Sequence, residues 1–247
     1  MRKSWVLITL ALLSAGSATA EEGDITLLPS GTDIKNTESL QRGARNFMNY
    51  CSGCHSLKYL RYNRLAADLK IPESELPGNL MFTSDKPFET INSAMPPTDS
   101  ETWFGKQPPD LSLMARARGV DYIYSFLKGF YVDKTRPWGV NNLYLPSAAM
   151  PHVLQTLQGL QKPVFKNEPD DHGSARMVLV GVDAMTPGAL KPEEYDQFVR
   201  DIANFLDYAG EPVKDKRQSM GVFVMLFLLV FFVFVYLLKK EYWKDVH

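Results

Sequence analysis

Cysteine is scarce in this chain, with two in 247 residues, three positions apart at Cys51 and Cys54. That excludes a disulfide framework and leaves room for one bridge at most. Charge of one sign is missing as well. The 27 Lys and Arg offset 28 Asp and Glu to a net of −1, so no concentrated basic excess is available to neutralise phosphates, and no nucleic-acid partner is expected. Internal repeats and low-complexity tracts are absent, and at 45% hydrophobic residues the chain is not a disordered polar polymer. Proline avoids both ends: all 16 lie between Pro29 and Pro212.

Those two ends depart most from the average. Residues 1–20 begin with Arg2 and Lys3, run apolar from Trp5 to Leu13 and close on Ala18-Thr19-Ala20. This pattern reads as a cleaved secretory signal, too short in its apolar part to span a bilayer comfortably. Residues 219–238 carry no charge. As a helix they reach about 30 Å, the thickness of bilayer hydrocarbon, and predict a transmembrane span in the lipid bilayer. Lys239, Lys240 and Lys244 follow, beside Tyr242 and Trp243, which assigns the tail to the cytoplasm by the positive-inside rule. The expected plan is a signal at 1–20, a periplasmic domain at 21–218, a span at 219–238 and a cytoplasmic tail at 239–247, in a bacterial inner membrane. Without its ends the head holds 22 basic and 26 acidic side chains, a net of −4.

Within the head, Leu40, Ala44, Phe47 and Met48 recur at helical spacing over 39–50, and Tyr195, Phe198, Ile202, Phe205 and Leu206 do so over 192–208. Pro192 with Glu193 and Glu194 suits the start of the second helix, and Gly210 with Pro212 its stop. Shorter helices are expected at 56–68 and at 110–129, the latter with a break at Gly119. The stretches 71–109 and 132–174 are dense in Pro, Gly, Asn and Asp and read as long ordered loops. Val178 to Val182 is the one expected strand.

The chemistry concentrates in Cys51-Ser52-Gly53-Cys54-His55. Cysteines at this spacing can form thioethers with the two vinyl groups of a haem, and the adjoining histidine then reaches the iron as an axial ligand. A thioredoxin-like pair would follow a strand rather than a helix pattern. A zinc site would need further ligands, and only His152, His172 and His247 remain. One covalently attached haem c is therefore expected. A methionine opposite the histidine would raise the reduction potential and close the iron to oxygen. Met81, Met95, Met114, Met150, Met177 and Met185 are the candidates in the head, Met95-Pro96 and Met150-Pro151 standing out as loop positions beside proline, with His152 as a rival. Spacing does not separate Met95 from Met150.

The strings GARNFMNYCSGCH, LRYNRLAADL, PPDLSLMARARG, DYIYSFLKGF, LPSAAMP and IANFLDYAGEP, followed by the terminal span, resemble the cytochrome c1 family, the haem subunits of cytochrome bc1 complexes. The resemblance runs from about Ser39 to Tyr242. It implies a mainly α class I cytochrome c fold with long loop insertions and one C-terminal transmembrane helix. It also implies Met150 as sixth ligand, Pro109 beside the histidine with Pro108, and Arg116 at a haem propionate. Trp103, Tyr122 and Phe126 are candidates for the pocket wall. The implied partners are cytochrome b, a Rieske iron–sulfur protein as donor and a soluble cytochrome c as acceptor, in a dimeric complex. The acidic residues Glu168, Asp170, Asp171, Glu193, Glu194 and Asp196 would attract a basic acceptor. Some family members carry a disulfide near the ligand loop, which this chain, with both cysteines on the haem, has no thiols to form. A free-standing membrane-anchored electron carrier, or a haem protein with an open iron site, are the competing functions.

Overall fold

The computed structural model describes residues 25–169 and 175–245. The expected signal, Asp170, Asp171, His172 and His247 lie outside them. Helix α1 (Thr37–Tyr50) starts where the Asn36 side chain accepts from the Ser39 N–H, satisfying one of the first-turn donors. The helix expected at 56–68 is half strand: β1 (Leu57–Arg61) pairs antiparallel with β2 (Thr90–Ile91), and only α2 (Tyr62–Leu69) is helical. The reason is long-range. The Lys58 N–H donates to Asp110 and the Tyr59 N–H to Ser112, while Ser56 O accepts from the Leu111 N–H. These partners draw the backbone out of a helical path.

The stretch expected as loop at 71–109 contains α3 (Leu76–Asn79), β2 and α4 (Pro97–Phe104). The helical region at 110–129 divides at Gly119, φ +85°, into α5 (Met114–Arg118) and α6 (Val120–Lys128). Next come the short strands β3 (Phe130–Val132) and β4 (Val140–Asn142), paired antiparallel, and α7 (Gln155–Gln158). The expected strand at 178–182 lies within β6 (Ala175–Ala184). Its antiparallel partner β5 (Gln161–Pro169) comes from a segment that reads as loop because it has no apolar alternation.

Helix α8 (Pro192–Gly210) crosses α1, and the two form the core with Phe47 and Phe205 rings 5.6 Å apart. Gly43 lies at the crossing, where a Cβ would run into the Asp201 carbonyl oxygen and come within 2.7 Å of Phe205 Cβ. Beside it the carboxylate of Asp201, 2% exposed, accepts from Ser39 Oγ (2.7 Å), Arg42 Nε (2.7 Å) and Gln197 Nε2 (2.8 Å). A buried charge is tolerated when its lone pairs are met in this way.

Pro212 separates α8 from α9 (Lys214–Tyr242), the one helix among the described residues long and apolar enough to cross a membrane. It begins five residues before the uncharged stretch, and its first turn is tied to the head. Lys214 pairs with Asp207 at 2.7 Å, Arg217 with Glu211, and Asp215 with Lys35 at 3.3 Å.

Candidate functional site

Cys51 caps α1, its N–H donating to Phe47 O, and the chain then closes a tight turn in which the Cys54 and His55 N–H groups both donate to Cys51 O. Ser52 Oγ donates back to Met48 O. The two thiols and the imidazole are thus held on one turn at the end of a buried helix. They open on a cavity of about 310 Å³.

Burial pushes the Cys51 thiol up to about 12 and raises Cys54 in the same direction. Both are neutral thiols at pH 7, the opposite of the depressed thiolate of a redox pair or a metal site. Among the described residues no group of three or more His, Cys, Asp or Glu is arranged to hold a metal ion.

Histidine 55 lies 2.8 Å through Nδ1 from the Pro109 carbonyl oxygen. A carbonyl only accepts, so Nδ1 carries the proton and Nε2 keeps its lone pair. Burial lowers the imidazole pKa, offset in part by the Pro109 carbonyl and by Asp110. The ring is neutral at pH 7, as a metal ligand requires.

The segment from Leu145 to Val153 also lines the cavity, with Ala148, Ala149, Met150 and Pro151 on it. Tyr122 and Phe126 of α6 and Ile202 and Leu206 of α8 close the sides. Of the candidate methionines, Met150 and Met114 line the cavity. Met114 follows the segment that carries Pro109, whose Leu111 N–H donates to Ser56 O. Met95 does not line the cavity; its N–H donates to Ser93 Oγ, which itself donates to Gly53 O. Met81 is buried in the core, and Met177 and Met185 are exposed on and beside the β5–β6 hairpin. His152 is buried but does not line the cavity. Burial pushes it down to about 4, against a smaller opposing effect of Gln158.

Arg116, expected at a propionate, does not line the cavity, whereas Arg118 does. Helix α5 has five residues, and positions 116 and 118 leave it on different sides. The Arg116 stem lies over Gly210 at the end of α8, beside Glu211, whose pKa is lowered chiefly by its hydrogen bond with Arg217 and to a lesser extent by the Arg116 charge. The Arg118 guanidinium lies 5.3 Å from the Tyr122 ring centre. Trp103 is exposed outside the cavity, in an aromatic row with Phe104, which lines it, and Trp138. Two of the three acidic residues at the start of α8 are engaged elsewhere: Glu194 accepts from the Lys191 N–H and Asp196 pairs with Lys128. The charged side chains at the cavity are cations, Lys106 and Arg118.

Sequence reasoning missed the residues that shape the Met150 loop. Asn142, fully buried, donates to Phe126 O and accepts from the Tyr144 and Leu145 N–H groups, while Asn141 Oδ1 accepts from the Ser147 N–H. An Asn-Asn pair before a Pro-containing loop was the available signal. Asn142→Ala removes the side-chain partner of three partly buried backbone groups and is expected to cost about 1–3 kcal/mol, seen as a lower denaturation midpoint with an unchanged absorbance spectrum.

The chain matches the model of the Cytochrome C1 family over residues 32–80 and 77–246. It is 50% identical over the full length of both chains to a cytochrome c1 of Allochromatium vinosum. A protein of Nitrosomonas europaea named ammonia monooxygenase gamma subunit is 40% identical, again over all of both chains. A cytochrome c1 of Rhodospirillum rubrum is 28% identical, covering all of this chain and 98% of that one.

Proposed function

The chain belongs to the cytochrome c1 family, and from that premise we propose that Cys51 and Cys54 hold a single haem c through thioethers, with His55 and Met150 as axial ligands. It is the electron-transfer subunit of a bc1 complex, beside cytochrome b and a Rieske protein, with haem c as its cofactor. The observation that carries the site assignment is the convergence of the cysteine turn, a neutral His55 oriented by Pro109, and Met150 on one apolar cavity. When bound, the haem supplies a reversible one-electron couple.

The chain's own contribution is to fix coordination and exclude water. The Nδ1–H bond to Pro109 holds the imidazole plane, and the apolar residues from Leu145 to Val153 would exclude water from the group that His55 and Met150 would hold. Lys106 and Arg118, the latter in place of Arg116, are suited to the two propionates. The crossing of α1 and α8 beside the cavity supports a class I cytochrome c fold, with insertions at 71–109 and 132–174. Helix α9 serves as a single-pass membrane anchor. The charge pattern at its end supports a head at 21–218 on the periplasmic side, exported by the signal at 1–20, and a cytoplasmic tail at 239–247. In this reading the Rieske protein donates to the haem, a soluble cytochrome c accepts from it, and the complex is dimeric.

The name of the Nitrosomonas europaea relative attaches that protein to a different enzyme, which favours keeping a second reading, an anchored cytochrome serving another system. Purification in mild detergent through a C-terminal tag separates the two. A b-type cytochrome and a Rieske protein are expected to co-elute with the haem c chain in fixed ratio. Elution of the chain without them would overturn the placement in a bc1 complex.

A further inference from the structure

The loop that presents Met150 is anchored unevenly. Its leading end is fixed by the Asn141 and Asn142 side chains. From residue 148 to residue 155 the backbone hydrogen bonds among the described residues are local, such as Val153 N–H to Pro151 O and Gln155 N–H to His152 O. The next long-range bond comes at Thr156, whose carbonyl accepts from the Ala189 N–H. Within this interval the His152 ring lies on Phe130, centroids 4.8 Å apart and planes inclined by 6°.

Phe130 is a firm base. It is 1% exposed, lies in β3 opposite Asn142, and its carbonyl accepts from Gln161 Nε2 at 2.7 Å. Its ring packs edge-on against Phe126, 5.2 Å away, and Phe126 lines the cavity. Between His152 and Met150 stands Pro151, whose ring fixes its own φ and restricts Met150 to extended conformations. The three residues form a stiff unit, so displacement of the imidazole displaces the thioether.

The imidazole's polar contact is poor: its Nε2 and the buried Oε1 of Gln158 each lack a well-formed hydrogen bond, although Gln158 lies near enough to oppose part of the burial effect on the ring. A buried polar atom left unpaired costs stability, and an aromatic hydrocarbon at this position would avoid that cost.

We propose that His152 is a positioning residue, stacking on Phe130 to hold the trailing end of the Met150 loop where other proteins could use a cross-link. This rests on the reading of Met150 as sixth ligand. The test uses the purified haem-loaded full chain in detergent, with two readouts: the long-wavelength absorption band that a methionine sulfur gives on ferric haem, and carbon monoxide binding by the ferrous form. His152→Ala is expected to lose most of the band and to bind carbon monoxide, whereas His152→Phe keeps the band and stays closed. Met150→Leu is the control. If it keeps the band, the ligand reading fails. If it loses the band while His152→Ala retains it and excludes carbon monoxide, the positioning role alone is overturned. Should His152→Ala not accumulate, His152→Leu, which fills the space without stacking, is read in its place by the same criteria. If neither accumulates while His152→Phe does, the stack is a folding requirement and the proposal falls.

Discussion

Met150→Leu is expected to lower the haem midpoint potential by on the order of 100 mV, within the roughly 0.8 V that axial ligands span, and to open the ferrous iron to carbon monoxide. A thioether is a soft donor that favours the reduced metal, so its loss favours the oxidised one. Leucine is the appropriate replacement because it nearly conserves volume, and Leu–Met exchanges usually cost less than about 1.5 kcal/mol in a packed site. Met150 is half-buried against the core with Val153 and Leu157, so the loop should keep its course and the effect should be electronic. A redox titration and a carbon monoxide difference spectrum measure the two outcomes. Retention of native potential and closure would exclude Met150 and turn attention to Met114, the other methionine on the cavity.

Gly43→Val is expected to remove more than about 3 kcal/mol of stability, beyond the usual range for overpacking. The first added atom meets the backbone of α8 at Asp201, and backbone cannot rotate away as a side chain would. The helices would have to separate, and that would loosen the Phe47–Phe205 contact and the Asp201 network together. Against a total of about 5–15 kcal/mol for a typical domain, the variant should accumulate poorly or melt far below the wild type. Thermal denaturation followed by far-ultraviolet circular dichroism provides the measurement. A melting temperature within a few degrees of wild type would contradict the close crossing.

The two main helices were readable because each presents a full apolar stripe over three or more turns, long enough for its period to be counted. The cysteine turn was readable because its chemistry is local. Met150 and Met95 were not separable on local grounds, since both precede proline in polar loops. What distinguishes them in the structure is tertiary placement: Met150 lines the cavity and Met95 does not. Arg116 and Arg118 were not separable for a related reason: a five-residue helix is too short to reveal its phase. Strand β1 was hidden because Asp110 and Ser112, remote in sequence, satisfy the donors that would otherwise favour a helix. Half of the hairpin, β5, shows no alternation to count, being held by its partner strand rather than by a buried face.

The junction between α8 and α9 has a mechanical meaning. Three ion pairs tie the first turn of the anchor to the head within a few residues of Pro212, the Lys214–Asp207 pair being the most enclosed of them, which makes the junction a bracket rather than a string. A haem carried by a bracket keeps one height above the lipid and one tilt. Electron transfer weakens steeply with distance, so a centre that cannot travel is useful only to partners that come to it. Replacing the clamp with a slack linker would exchange one fixed address for a blurred one.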